Sequence, residues 1–218
     1  MTKKIISILA VTILLLLTIV YAATTGSIQM SFGEFMTGLF DANNEKMAAI
    51  RDLRFPRILV AIFAGAALSV AGVLLQAIMR NPLADAGIIG ISSGAAFTKL
   101  LIVSFVPTYF FFSPIAAFIG GALACFLVFL LSWKFGLNPL KLILVGIAIN
   151  AMFSGLIEAL ISFGASSTGA ITSNLTLKTW DDVTIIVTYG SIGLIAAFAM
   201  FAWCNVLVLS DKTAKSIG

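Results

Sequence analysis

The sequence predicts an all-α fold, a polytopic transmembrane bundle of about six spans with little mass outside the membrane. Composition is the first observation behind this. Of 218 residues, 61% are hydrophobic and 10% are charged, against about 25% charged in an ordinary soluble domain. Mean hydropathy is +1.13. The second is run length: stretches near the roughly 20 apolar residues needed to cross about 30 Å of hydrocarbon recur between short polar breaks. The third is backbone chemistry, because lipid cannot satisfy open N–H and C=O groups and so forces such runs into helices. A water-soluble fold of this composition would expose apolar patches that aggregate.

The expected spans are about Ile5 to Ala23, Ile58 to Met79, Ile88 to Val106, Pro114 to Trp133, Leu140 to Phe163, and Val183 to Trp203. The first follows Lys3-Lys4 and ends on Ala22-Ala23, a pattern that a secretory signal shares. Its apolar run exceeds a usual signal core, which favours a retained span. The second carries Gly65, Ser69, Gly72 and Gln76 at helical spacings, one small face suited to close helix approach with an amide to bond across it. The third contains Lys99, which must face protein or water, or snorkel. Gly120-Gly121 in the fourth reads as helix packing, like the face of the second. After the sixth, Leu209 to Gly218 is a short amphipathic stretch suited to docking a partner or lying at the interface.

The net charge of +4 does not point to nucleic acid, because Lys and Arg are scattered over loops rather than gathered on one face. They read as orientation signals. With the amino terminus cytoplasmic, Lys3, Lys4, Arg80, Lys134, Lys141, Lys212 and Lys215 fall inside, with Asp85 and Asp211. Lys46, Arg51, Arg54, Arg57 and Lys178 fall outside, among Glu34, Asp41, Glu45, Asp52, Asp181 and Asp182. That is a modest positive-inside bias for a multi-pass protein of the cell membrane. The sequence has no His, and Cys125 and Cys204 sit in apolar runs as packing residues, so a metal site or disulfide framework lacks material. No phosphate-cradling Gly-rich loop ending in Gly-Lys-[Ser/Thr] occurs, so ATP would have to act through a partner. An enzyme reading is poor: there is no Ser-His pair and no Asp pair within the apolar runs, and no cofactor is called for.

Three segments could carry function. Asn150, Ser154, Glu158 and Ser162 recur every four residues in the fifth span, a polar stripe turning about 40° per step. A carboxylate in a span is costly, so Glu158 either lines a path or reaches solvent or a neighbouring span at the helix end. Arg54-Phe55-Pro56-Arg57 sets two guanidinium groups at the outer mouth of the second span. They suit bidentate pairing with carboxylates of an external protein, or simple interfacial anchoring or pairing with Asp52. Finally, Arg80-Asn81-Pro82-Leu83-Ala84-Asp85 and Gly90-Ile91-Ser92-Ser93-Gly94-Ala95 break one span and open the next with Pro, Gly and Ser. Irregular backbone at membrane depth is tolerated where it is buried in protein or lines a water-filled cavity. Asn81, Pro82, Gly90, Ser92, Ser93 and Gly94 are therefore candidates for a cavity or helix-break segment.

These blocks, with the Gly65 to Gln76 face and the closing Ala214-Lys215-Ser216-Ile217-Gly218, resemble the FecCD family, the permease subunits of binding-protein-dependent ABC importers for iron-siderophores, haem and vitamin B12. Within it the chain is most similar to haem permeases of Gram-positive iron-regulated surface systems, helped by Leu177-Lys178-Thr179-Trp180-Asp181. The resemblance implies a homodimer with its path on the dimer axis, two cytoplasmic ABC ATPase subunits, and an external substrate-binding lipoprotein. It places Arg54 and Arg57 at the binding-protein dock and Asn150, Ser154 and Glu158 on the translocation path. It also makes residues 209–218 the start of the cytoplasmic coupling segment, with Asp211, Lys212, Ala214, Lys215 and Gly218 facing the ATPase.

Family members run to roughly ten spans of the length a bilayer requires, whereas 1–218 reads as a single transmembrane permease domain that is only their amino-terminal part. The resemblance thus implies either a piece of a longer product or a truncated gene. The mechanism implied is alternating access, an iron complex entering from the external protein and ATP closure driving the coupling segment. Two other readings stay open: an ion- or proton-coupled carrier in which Glu158 titrates, and a truncated, non-transporting remnant.

Overall fold

The structure, a computed structural model, describes residues 2–26, 30–38, 40–41, 44–133, 139–165, 175–201 and 203–204. The α-helices among them are α1 (Thr2–Thr24), α2 (Phe32–Gly38), α3 (Glu45–Leu53), α4 (Phe55–Met79), α5 (Ile91–Phe105), α6 (Ser113–Trp133), α7 (Pro139–Ser162) and α8 (Trp180–Ala199). Among the described residues five helical stretches are long and apolar enough to cross a membrane: α1, α4 with α3 leading into it, α6 with the 3-10 turn before it, α7 and α8. The third expected span is present but short. Its 15 residues rise about 22 Å at 1.5 Å each, less than the hydrocarbon thickness. The expected start at Ile88 moves to Ile91 because Gly90 adopts φ +84°, and the Asp85 carboxylate holds the N–H groups of Gly87 and Ile88 in a turn at 2.6 and 2.9 Å.

The chain packs as two compact units, Met1–Ala66 with Asn174–Ile192, and Ala67–Ser173 with Gly193–Gly218. In the first, α1 is exposed from Thr2 through Thr18 and is covered only over its last turns. Ala23, Met30, Phe35, Met47 and Ile50 form the core there, with Phe55 and Ile58 packed against them. The short helices of this unit are held by side-chain caps. Ser31 and Glu34 form a capping box on α2: the Ser31 N–H donates to Glu34 Oε2 at 2.8 Å and the Glu34 N–H donates to Ser31 Oγ at 3.3 Å. Asn44 Oδ1 accepts from the Met47 N–H at 3.1 Å to start α3. α3 then buries Met47 and Ile50 and exposes Glu45, Lys46, Arg51 and Asp52, as an amphipathic helix should. At the start of α8 the Thr179 N–H reaches Asp182 Oδ2 at 3.0 Å, and Lys178 Nζ reaches Asp182 Oδ1 at 2.9 Å.

The second unit is built on small residues. A side chain at Gly94 of α5 would bring its Cβ 2.7 Å from the Gly120 carbonyl oxygen and from Ala124 Cβ on α6, so the two backbones touch. Thr98 Oγ1 donates across this contact to the Ala116 carbonyl at 2.8 Å. Lipid tails are as apolar as leucine, so span association rests on such close packing and on interhelical hydrogen bonds. The core here combines Met79, Ala84, Ile89, Ala124, Val128, Ile149 and Phe153, with the Phe97 and Phe153 rings 5.6 Å apart.

Gly120-Gly121 thus packs as expected, whereas among the described residues no close approach is made at Gly65 or Gly72. A Cβ at Gly65 or Gly72 would meet nothing within 4 Å, and the Gln76 amide donates to the Pro82 carbonyl at 3.0 Å within its own turn region instead of across to another span. Spacing alone identifies a small face; it does not say which helix, if any, covers it. Of the two cysteines, Cys204 is buried and Cys125 is exposed, so the packing role expected of both holds for the former.

Candidate functional site

The candidate site grows from the break after α4. Arg80 ends this helix with φ +48°, a left-handed conformation uncommon outside glycine. The Asn81 N–H reaches back to the Gln76 carbonyl at 3.2 Å and the Arg80 N–H to Ala77 at 3.4 Å, the two bonds of a Schellman termination. Pro82 then prevents the helix from continuing. Asn81 Oδ1 accepts from the Leu83 N–H at 3.0 Å, and the Ala84 N–H donates to the Asn81 carbonyl at 3.2 Å. The irregular segment is therefore closed by its own polar side chains, Gln76, Asn81 and Asp85. Two apolar residues within it, Ala84 and Ile89, are 4% and 2% exposed and anchor it in the core.

The segment meets α7 at Gly90. A Cβ on Gly90 would lie 2.8 Å from the Asn150 backbone nitrogen and 3.1 Å from its Cα. Glycine is thus required twice over here, by the positive φ and by the absent space. One turn earlier on α7, Gly146 gives the same close approach to Ile89, whose Cα would be 2.9 Å from an added Cβ. Two candidate groups that are sixty residues apart in sequence, Gly90 and Asn150, are in backbone contact. Ser93 Oγ donates to the Gly90 carbonyl at 3.0 Å and tightens the start of α5, while Ser92 is exposed and Gly94 belongs to the α5–α6 contact.

The polar stripe of α7 continues away from this contact. Gly146, Ile149 and Phe153 form the buried side of the helix, Asn150 is half-buried, and Ser154, Glu158 and Ser162 are exposed. The Ser162 hydroxyl donates back to the Glu158 carbonyl at 2.9 Å. Beside the break lies an apolar groove of about 430 Å³ between the end of α4 and the starts of α5 and α7, with Cys125 and Phe129 of α6 and Arg80 on its lining. Gly146 and Asp85 belong to the same architecture and were not among the sequence candidates. The signal for Gly146 was slight, one glycine in an apolar run; Asp85 was visible in the Asn81 to Asp85 block.

The two arginines have different surroundings. Arg54 is half-buried, and its Nη1 donates to the Ala23 carbonyl at 2.7 Å, 31 residues away at the end of α1. A cation bonding the last carbonyls of a helix also complements its negative end. Arg57 is half-buried in the first turn of α4, and its Nε is buried without an acceptor among the described residues. Asp211, Lys212, Ala214, Lys215 and Gly218 lie outside the described residues.

Comparison with known proteins places this arrangement. The sequence is 39% identical over 216 residues to the "Probable heme-iron transport system permease protein IsdF" of Staphylococcus aureus, strains MSSA476 and MW2, covering 99% of this chain and 66% of each relative. The same named protein of strain NCTC 8325 / PS 47 matches to the same extent. The chain therefore spans just under two thirds of the length of these relatives. A solved structure described as an inward-facing conformation of a metal-chelate type ABC transporter superposes with a TM-score of 0.76 at 29% identity, over 96% of this chain and 67% of that one. The described spans make this a multi-pass membrane protein, and with residues 14–218 matching its family model, the chain belongs to the FecCD transport family.

Proposed function

We propose that the chain forms the membrane-spanning part of a binding-protein-dependent ABC importer for iron complexes, a ferric siderophore or haem. The observation that carries this reading is the near full-length similarity of the chain to haem-iron permeases, at 39% identity. The site geometry supports it: an interrupted span packed by its backbone on a helix whose neighbouring face is polar is the kind of structure that lines a path at membrane depth.

The protein would supply the path and its gates, through a second copy of the permease, while separate cytoplasmic ATPases supply the work and an external lipoprotein delivers the ligand. The amino terminus would be cytoplasmic. Asn150, Ser154 and Glu158 would line the path and the Gly90–Asn150 contact would couple the helix break to it. Arg57 is the better docking cation for the external protein, since Arg54 is committed to Ala23. Residues 209–218 would begin the contact with the ATPase. The reaction chemistry is then not this chain's own.

Uptake of labelled haem and of labelled ferric siderophores, in cells deleted for the gene and complemented with its full-length product, tests the proposal. ATP-dependent uptake of one of these ligands is expected, little changed by collapsing the proton gradient. Uptake that needs no ATPase and vanishes with the gradient would establish an ion-coupled carrier instead.

A further inference from the structure

The turn between α5 and α6 exposes aromatic rings instead of polar groups. Tyr109, Phe110, Phe111 and Phe112 of the 3-10 segment Pro107–Phe112 are each more than half exposed, Phe111 by 89%. Their rings lean on one another, Tyr109 on Phe112 at 5.9 Å and Phe110 on Phe111 at 6.3 Å. No Asp, Glu, Lys or Arg occurs from Leu100 to Trp133, and in water such a cluster would be an adhesive apolar patch. The depth of the turn follows from the α5–α6 contact. Gly94 lies against Gly120 and Thr98 against Ala116, so the helices run antiparallel in step. Continued in that step, Leu101 is level with Ser113 and Phe105 with Tyr109. The 21 residues of α6 rise about 31 Å, the thickness of the hydrocarbon. Ser113 and Trp133 therefore mark its two boundaries. α5 continues past the level of Ser113 from Leu101 to Phe105, about 6 Å, and the turn stands beside that stretch. This is the depth of the headgroup zone, which adds about 5–7 Å on each side of the hydrocarbon.

We propose that Pro107–Phe112 seats in the headgroup zone of the bilayer as an aromatic anchor, with lipid as its partner. Ring size and polarity suit that zone: Tyr109 offers a hydroxyl to its wet side, and the three Phe rings, which carry no polar atom, fill its apolar side. The surface is continuous with a lipid face, since Ile115, Phe118 and Ile119 on the next turns of α6 are also exposed. α6 ends in a matching way at its other boundary, where Trp133 is exposed with its ring 5.2 Å from that of Phe129. An external protein is the rival occupant, but charge complementarity, which steers such partners, has no group to act on between Leu100 and Trp133. The 15 residues of α5 are too short for a span and leave the depth of the α5–α6 pair loose, and interfacial rings fix it.

The test uses the full-length wild-type protein in phosphatidylcholine nanodiscs that carry a photoactivatable diazirine at either the glycerol end or the methyl end of one acyl chain. Adducts are mapped by mass spectrometry. The glycerol-end probe should label Tyr109 to Phe112 about threefold or more over the methyl-end probe, as a headgroup-zone position requires. The order should reverse at Leu123, which is exposed and lies about 15 Å below Ser113, near the bilayer centre. Labelling of Leu123 with none at the turn overturns the proposal, because water or protein then covers the rings. A turn that shows no preference, or prefers the methyl-end probe, overturns it as well, because the rings then have no fixed place at the interface. No substitution is needed, so misfolding of a variant does not enter.

Discussion

The α5–α6 contact and the α1–α4 junction both join helices of an apolar chain, yet they are held by opposite means. Between α5 and α6, Gly94, Gly120 and Ala124 let the backbones meet, and one Thr98 hydroxyl crosses the gap. At the junction α1 is covered only over its last turns, and a guanidinium from Arg54 reaches the Ala23 carbonyl near its end. The difference follows depth. Where lipid surrounds both helices, moving an apolar side chain from lipid to protein gains little, so contact must come from fit. Where a helix ends near water, its unsatisfied carbonyls set the problem, and a cation or a cap solves it.

The sharpest way to break this comparison is at Gly90, where fit and backbone conformation coincide. Gly90→Val sets a β-branched residue at φ +84° and drives a Cβ into the Asn150 backbone. We expect a loss of about 3 kcal/mol or more, summing strain and overpacking, seen as loss of monodisperse protein in detergent. Near wild-type thermal stability would mean the two segments do not touch.

Next is Gly120→Leu, expected to cost about 1–3 kcal/mol by prising α5 from α6. Gly72→Ala, in open space on α4, should be neutral or stabilising by up to about 1 kcal/mol, as glycine is a poor helix former. Thermal unfolding of the pair should separate them clearly. Equal effects would show that the small face of α4 is also packed.

Arg54→Ala should cost about 1–2 kcal/mol by removing a charged donor from the half-exposed end of α1. Hydrogen exchange should then quicken at the amides that end α1 and leave α5 and α6 unchanged. Arg54→Lys should recover part of the loss, because a single ammonium can still reach one carbonyl.

The smallest effect concerns acid. The Ser31 backbone N–H first, and then the Ser31 hydroxyl, hold the Glu34 carboxyl below its ordinary value, with slight desolvation opposing and Lys46 assisting. A carboxylate whose folded pKa is lowered contributes stability that is complete above its unfolded pKa, about 4.3, and is lost as pH falls through the folded value. α2 should therefore fray below about pH 4, while Gly94, Thr98, Gly120 and Ala124 carry no titrating group and their contact should persist. Amide exchange at pH 3 and pH 6 would compare the two; equal sensitivity would remove the distinction.

Much of this was legible in the chain itself. Span positions followed from apolar run length, and five helices have both ends within three residues of expectation, Pro56 and Pro139 marking starts that a fixed φ favours. The helix break was readable from Asn81, Pro82 and Gly90. The shortness of α5 was not, because it turns on Asp85 bonding two backbone N–H groups, a choice that competes with helix only when the segment is already anchored by Ala84 and Ile89. Nor was the inward role of Arg54: a guanidinium beside a span reads equally well as a dock, an anchor or a cap, and the carbonyl it takes is 31 residues away.

The sequence by itself determined that this is a helical membrane chain, where its spans run, and which family it joins, since apolar length and local motifs are properties of contiguous residues. Only the tertiary structure decided which glycines are close contacts. Gly72 and Gly120 sit in equally apolar helices, and the one that matters is the one with another backbone beside it. It likewise decided that Gly90 and Asn150 belong to one site, because close approach is a relation between distant segments that no local pattern encodes.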